Sequence, residues 1–521
     1  MANVLLINAY LMATSRKNRW QNLLYYDIMA VVINWRDGSL IEFNRRTVPF
    51  IFFGSKVRSQ KMTSIKQWIE PKPLLSSERQ RFSNSALKAI IVPLLIEQLL
   101  QLVVGLADTM MVSYAGEEVV AGVGLDTMIY TVFIYLFTSI SAGGAIVVSQ
   151  YLGNKKRESA DLAASQIFHL GGLLSVCCMI LMLLFGSGLL KIMYPQTEPE
   201  TMDACITYMQ IVAISFPANA LYNAGSAVYR SMGRTKVTMW VSLSANLINV
   251  AGNAIGIFAL KAGAAGVAWP TTISWFVAAV IMTGLCLKKG NEVCIIPKHV
   301  FRLNRSMSKR ILGVAIPNSI ENTLFQAAKV VLGMLVATFG TSQIAANTTG
   351  QTIWSLSACI NTSMATVFIT VVGQCVGAWD TEAAEWYIRK LTRLSLVLAV
   401  IWNIIVTALT PLMLLFYDLS DETKHLLLII VIIHNVFCAF VQPFSGPLSG
   451  GLRAAGDIKF SMWNSIFTTV ICRTFLSFLL AKWLGMGVIG ITLAMVLDWC
   501  IKAVINIWRF KSGKWKDKRV I

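Results

Sequence analysis

Asp108 is the residue whose setting first asks for a chemical explanation. It lies in the run ALKAIIVPLLIEQLLQLVVGLADTMMVSYA, residues 86 to 115, which is apolar and long enough to cross a bilayer as a helix. A carboxylate at membrane depth is costly and marks an ion pathway or a paired group. Pro93 sits in the same run, where a proline frees a backbone carbonyl and lets a helix bend. A bendable helix with one ionisable group suits a moving part operated by a cation. The plainer reading is a helix whose Asp108 hydrogen-bonds a neighbouring helix. Asn249 and Asn253 stand four apart, so on a helix both face the same neighbour. Helix–helix hydrogen bonding is the plainer reading there too.

Other ionisable groups also interrupt apolar runs. Glu97 and Glu321 each follow a proline by one turn, after Pro93 and Pro317. Two roles compete for them: satisfying backbone groups freed by the prolines, or binding substrate or protons. Lys329 and Arg473 fall in the middle of apolar runs, and Asp498 and Lys502 are four apart in the last one. Buried cations need carboxylate or carbonyl partners. A Lys329, Arg473 and Asp498 network is therefore expected, serving either coupling or plain structure, and Asp498 and Lys502 are placed to pair. Asp126 and Tyr130 open the second run, at the mouth of a cleft or in the interfacial belt. Adaptable Met and aromatic side chains suit promiscuous binding. Met128, Tyr130, Phe133, Tyr135, Trp354 and Met364 are candidates for such a cleft, against lipid-facing or core packing.

The elements that position these residues are membrane helices. Of 521 residues, 55% are hydrophobic and 14% charged, whereas a soluble domain carries about 25% charge. Twelve spans follow, at about 86–113, 122–150, 162–186, 203–230, 236–259, 265–287, 311–338, 344–375, 388–416, 424–450, 460–481 and 486–508. The net charge of +19 is concentrated in alternate loops: Lys155, Lys156 and Arg157; Arg230, Arg234 and Lys236; seven Lys/Arg in 288–310; Arg389, Lys390 and Arg393; Arg453 and Lys459; and the tail RFKSGKWKDKRV. The other loops hold Glu117, Glu118, Glu198, Glu200, Asp203, Asp418, Asp421 and Glu422. That asymmetry puts both termini in the cytoplasm and excludes a nucleic-acid reading of the charge. The ten cysteines lie mostly within apolar runs without metal-ligand spacing and read as small hydrophobes. No nucleophile–base pair, metal cluster or phosphate loop is present, so the chain does not read as an enzyme.

The two halves repeat. Pro93, Ile96, Glu97 and Leu100 recur 224 residues later (93 to 317) as Pro317, Ile320, Glu321 and Leu324. Gln150 and Gly153 recur as Gln374 and Gly377. RSMGRTKVTMW (230–240) pairs with RAAGDIKFSMW (453–463) at an offset of 223 (230 to 453), and Gly263 and Gly266 return at 224 as Gly487 and Gly490. Six spans per half make a parallel repeat about an axis along the membrane normal, the build of an alternating-access transporter. The expected layout is a leader at 1–85, a first lobe at 86–287, a cytoplasmic linker at 288–310, a second lobe at 311–508 and a basic tail at 509–521. Residues 1–61 fit neither a span nor a signal peptide, and Met62 is the expected native start.

These motifs resemble the multidrug and toxic compound extrusion (MATE) transporters over about residues 85 to 515. The resemblance is carried by Pro93 and Asp108, by VVSQYLGNKK (147–156) and VVGQCVGAWD (371–380), by RSMGRTKVTMW, and by NLINVAGN (246–253) with GAAGVAWPT (263–271). It implies an all-α membrane protein of twelve helices in two six-helix lobes around a central cleft. It also implies export of amphipathic, often cationic, organic compounds in exchange for Na+ or H+. The resemblance further implies a cation site of Asp108, Asn249, Asn253 and Thr271, a donor set of oxygens that suits a hard cation. Some branches carry an aspartate at the position of Asn253, and a two-carboxylate proton network is not expected here. Pro93 is the expected hinge. Asp108 falls on Leu332 in the repeat, so the second lobe lacks this site. The expected setting is a multi-pass monomer in the bacterial inner membrane with no cofactor beyond the coupling ion. Its expected partners are small organic substrates and lipid. A lipid-linked oligosaccharide flippase, with about fourteen spans and a cationic lumen, is the nearest rival. A non-transporting membrane anchor or receptor would leave the duplication and Asp108 unexplained.

Overall fold

The computed structural model describes residues 67–521 except Ser77, Phe416 and Asp418. The fold below is that of the compact unit Ile69–Ile521. The expected start at Met62 lies outside the described residues. Among them there is no β-strand, and eleven helices are long and apolar enough to cross a membrane, or twelve if one bent pair counts as a span.

In chain order the spans are α1 (Asn84–Val112), α2 (Glu117–Gly153), α3 (Arg157–Met193), the bent α4 (Pro199–Ile214 with Phe216–Ser231), α5 (Thr235–Ala259) and α6 (Gly263–Cys286). The second half has α7 (Arg305–Ala337), α8 (Thr341–Gly377), α9 (Thr381–Leu414), α10 (Asp421–Phe440), α11 (Ile458–Trp483) and α12 (Gly487–Lys511). Four starts are capped by side-chain oxygens that take up free helical N–H groups. Ser83, Asn304, Asp380 and Ser420 accept from Ala86, Met307, Ala383 and Thr423. Because Asn304 caps α7, that helix begins at Arg305, six residues before the expected span. Bends coincide with prolines, which remove a helical donor. α4 turns by 47° at Ser215 just before Pro217, and α10 gives way to two short helices starting at Gln442 and Pro447. α2 and α3 have 37 residues each, or about 55 Å at 1.5 Å per residue, and so project well past the apolar core of a bilayer.

The change of repeat offset has a local cause. Residues Ile466–Cys472 form a π-helical turn inside α11. A π turn takes one more residue than an α turn. It falls between the pairs at offset 223 and those at 224.

The halves meet through repeat-related residues near the basic loops. A Cβ on Gly153 would stand 2.0 Å from the Gln374 carbonyl oxygen, and one on Gly377 would stand 1.9 Å from that of Gln150. Only glycine permits α2 and α8 to cross this closely. Gln150 donates to the Ala454 carbonyl at 2.9 Å, and Gln374 donates to the Ser231 carbonyl at 2.8 Å. Further cross-lobe bonds run from Thr370 to the Arg230 carbonyl (2.8 Å) and from Asn322 to Ser139 (3.2 Å). The contacts of Gly153, Gly377, Gln150, Gln374 and Thr370 lie in the helix halves nearest the basic loops. At the opposite ends of α1 and α7, Met110 and Met334 are exposed. The lobes are thus joined at the basic end.

The linker and tail are packed. Gln166 of α3 donates to the carbonyls of His299 and Arg302, and Asp161 accepts from the Cys294 N–H at 2.8 Å. Beyond α12, Trp515 is fully buried, and the Val520 N–H donates to Gln150 at 3.1 Å.

Candidate cation site

α1, α5 and α6 bring the four expected ligands together. Gly256 of α5 and Gly266 of α6 touch backbone to backbone, since a Cβ on Gly256 would lie 2.0 Å from the Gly266 carbonyl oxygen. This crossing holds one turn of each helix against the outer half of α1. Asn253 donates to Asp108 Oδ1 at 2.9 Å and to Asn249 Oδ1 at 3.3 Å. Asn249 lies 3.0 Å from Thr271 Oγ1, and Thr271 donates to the Val267 carbonyl at 3.1 Å. Asp108 is half-buried, while Asn249 and Asn253 are buried.

The Asn249 amide has two chemically distinct orientations. With its NH2 toward Asp108 it donates to both carboxylate oxygens, at 2.9 and 3.0 Å, and accepts from Thr271. With its oxygen toward Asp108, acceptors face one another, an arrangement that a cation or a shared proton holds together. The buried Asn253 Oδ1 has no hydrogen-bond partner. One carboxylate and neutral oxygens from two amides and a hydroxyl form a donor set for a hard monovalent cation, or for a proton on Asp108.

A second carboxylate belongs to this lobe. Asp126 is 2% exposed, not in the mouth of a cleft or an interfacial belt. The buried Tyr208 of α4 packs in the core cluster that includes Val267 and Ala268 of α6. The position of Asp126 near the start of a span gives no sign that it is buried. Its burial arises because Gly122, one turn earlier, packs against the backbone of Cys205 in α4.

The repeat-related glutamates form ion pairs. Glu97 is 3% exposed, accepts from Arg230 at 2.7 Å and meets Thr238 at 3.2 Å. It is therefore no cleft residue. Glu321 meets Arg453, its pair's repeat counterpart, at 3.2 Å. Neither glutamate caps a carbonyl, because a carboxylate is an acceptor. The Ala89 carbonyl, deprived of its helical donor by Pro93, instead receives the Thr235 hydroxyl at 3.3 Å. α1 runs through Pro93 as one continuous helix.

In the second lobe, Lys329, Arg473 and Asp498 line one cavity of about 400 Å³. Among the described residues no ion pair joins these three; the ion pairs at this cavity are Arg453 and Lys502 with Glu321. Lys502 turns to Glu321 at 4.0 Å, away from Asp498, which accepts from Thr469 at 3.3 Å. Trp354 lines the same cavity and stacks on His434 with ring centroids 5.1 Å apart. Tyr130 packs on Phe216. Met128 is exposed, away from the cavity. Met364 is fully buried in the core joining α1 to α8 and is no cleft residue.

The comparisons with known proteins agree with this architecture. The MatE family model matches residues 93–255 and again residues 317–479, once per half. "Uncharacterized transporter YisQ" of Bacillus subtilis (strain 168) is 25% identical over 438 residues, covering 82% of this chain and 94% of its own. "Probable multidrug resistance protein NorM" of Thermotoga maritima (strain ATCC 43589 / DSM 3109 / JCM 10099 / NBRC 100826 / MSB8) is 24% identical over 436 residues, covering 83% of this chain and 93% of its own. The solved structure described as "Outward-facing conformation of a multidrug resistance MATE family transporter of the MOP superfamily" superposes with a TM-score of 0.77 at 22% identity. It covers 82% of this chain and 96% of that one, a likeness of fold.

Proposed function

Since the chain belongs to the MatE family of multidrug efflux transporters, we propose that it is a secondary-active antiporter driven by Na+ or H+ at Asp108. Its cargo is amphipathic organic compounds, cationic ones among them. The observation that carries the reading is the convergence of Asp108, Asn249, Asn253 and Thr271 from three helices. The chain lies in the cell membrane with both termini in the cytoplasm, as the basic loops indicate. On that orientation the lobes are joined on the cytoplasmic side.

In the cycle, a cation enters from outside and replaces the amide N–H groups around Asp108. The amides turn their oxygens inward, and the carboxylate no longer holds Asn253 through a donated hydrogen bond. α1 shifts against α5 and bends near Pro93, where the backbone already relies on Thr235 in place of a helical bond. The cleft then changes shape and releases cargo outward. The ion drives this only as far as it binds one state better than the other.

Dye efflux from ethidium-loaded liposomes tests the reading. A Na+ gradient and a pH gradient are imposed separately, on wild type and Asp108→Asn. Efflux driven by either gradient and lost in the variant supports the proposal and identifies the ion. Equal efflux by both proteins removes Asp108 from the mechanism.

A further inference from the structure

The cavity in the second lobe is an open one lined by α7, α8, α10, α11 and α12. Its volume of about 400 Å³ falls in the range of small-molecule sites, roughly 300–1,000 Å³. Five charged side chains line it: Glu321, Asp498, Lys329, Arg473 and Lys502. The two carboxylates are already engaged. Glu321 is held by Arg453 at 3.2 Å and Lys502 at 4.0 Å, and Asp498 takes the Thr469 hydroxyl. Lys329 and Arg473 have no ion pair among the described residues, although Asp498 lines the same cavity, and three cations against two carboxylates leave one cation in excess. Lys329 lies over the Phe325 ring at 5.8 Å, and Arg473 Nε is buried without a hydrogen-bond partner. Trp354 Nε1, a further donor on the wall, is likewise buried without one. Cations left unpaired at membrane depth are costly unless something supplies the counter-charge.

The repeat sharpens the contrast. At offset 224 (249 to 473), Arg473 stands where the first lobe has Asn249, and Lys329 stands where it has Gly105. Leu332 replaces Asp108. The first-lobe site is one carboxylate among neutral oxygens; its counterpart has lost that carboxylate, gained two cations, and gained one carboxylate elsewhere, Asp498 where the first lobe has Ser274. The π turn Ile466–Cys472 immediately precedes Arg473. Such turns occur frequently at functional sites.

We infer that this cavity binds the anionic group of an amphipathic organic compound. Lys329 and Arg473 hold the anion, and Trp354 and Phe325 face its apolar body. This rests on the efflux reading and extends the cargo from cations to organic anions. The two lobes then carry sites of opposite preference, a small cation in the first and a carboxylate- or sulfonate-bearing organic compound in the second.

The test is equilibrium binding of radiolabelled 2-naphthoate to the full-length protein in nanodiscs. 2-Naphthylmethylammonium and 2-naphthalenemethanol serve as competitors of matched shape. Saturable 2-naphthoate binding is expected, with affinity at least tenfold lower in Lys329→Met and in Arg473→Gln, and neither analogue competing effectively. Thermal unfolding of both variants at the wild-type temperature separates a lost ligand contact from a lost fold. Two variants on different helices guard against one misfolding. Unchanged affinity in both variants, or competition by the ammonium as strong as by 2-naphthoate itself, overturns the inference. Displacement of a chloride probe without 2-naphthoate binding overturns it too, leaving an inorganic-anion site. Gradient-driven ethidium efflux by the same preparations reports on the antiporter reading separately. Its loss with 2-naphthoate binding intact would sink that reading alone.

Discussion

The Glu97 carboxylate accepts a hydrogen bond from Arg230 at 2.7 Å, and 224 and 223 residues on (97 to 321, 230 to 453) Glu321 and Arg453 form the same pair. The two pairs tie the first helix of each lobe to its fourth-span region. Removing one partner of a buried pair leaves an uncompensated charge, at a cost of about 3–5 kcal/mol. Glu97→Gln is therefore expected to lower stability by about that amount, discounted for the partial exposure of Arg230. The double variant Glu97→Gln/Arg230→Met should recover much of the loss. Thermal unfolding in a fixed detergent measures both. A single variant as stable as wild type would contradict the structural role.

Asp108→Asn keeps the shape of the side chain and removes its charge. It should leave the protein folded while abolishing gradient-driven efflux. Asn253→Ala deletes a buried amide that touches both Asp108 and Asn249. Loss of one such contact is worth about 1 kcal/mol, so the apparent affinity for the coupling ion should fall several-fold to tenfold. Efflux rate as a function of ion concentration provides the measurement. Asn253→Ala with unaltered ion dependence would place the ion elsewhere.

Asp126 is buried on α2, and among the described residues no hydrogen bond or ion pair joins it to Asp108. Asp126→Asn should therefore weaken efflux less than Asp108→Asn does, with the larger effect under a pH gradient than under a Na+ gradient. Parallel efflux assays under the two gradients read this directly. Loss as complete as that of Asp108→Asn would make Asp126 a direct ligand.

Gly377 and Gln150 set the spacing of the lobes. A methyl group on Gly377 would sit 1.9 Å from a carbonyl oxygen of the other lobe. Overpacking of this kind costs about 1–3 kcal/mol, and backbone on both sides cannot rotate away. Gly377→Ala should widen the basic end, seen as a longer spin-label distance between positions 155 and 379, and should slow efflux. Gly105→Ala, with nothing within 4 Å, is the control expected to change neither. An unchanged distance distribution in Gly377→Ala would show that the lobes do not pivot on this crossing.

The arrangement Asp108–Asn249–Asn253–Thr271 was legible largely because motif order matched a known family, and because two asparagines four apart must share a helix face. Asp126 was not legible. Its burial depends on Gly122 meeting α4, a contact between helices far apart in the chain. The pairing of Lys502 with Glu321 was missed for a similar reason. The spacing of Asp498 and Lys502 permits a local pair, yet the rotation of α12 against α7 favours the distant carboxylate.

The twelve apolar runs, the alternation of basic and acidic loops and the duplication are all readable along the chain. A bilayer acts on each segment separately, through span length and charge, so these signals are local. Which polar groups meet is settled by the packed helix bundle. It set Thr235 on the carbonyl freed by Pro93, put Met364 in the core and left Lys329 and Arg473 on a cavity wall outside the ion pairs with Glu321. Those outcomes depend on how each helix is rotated about its axis and which neighbour it touches. That rotation is fixed by packing summed over the whole bundle, with no one stretch of the chain encoding it.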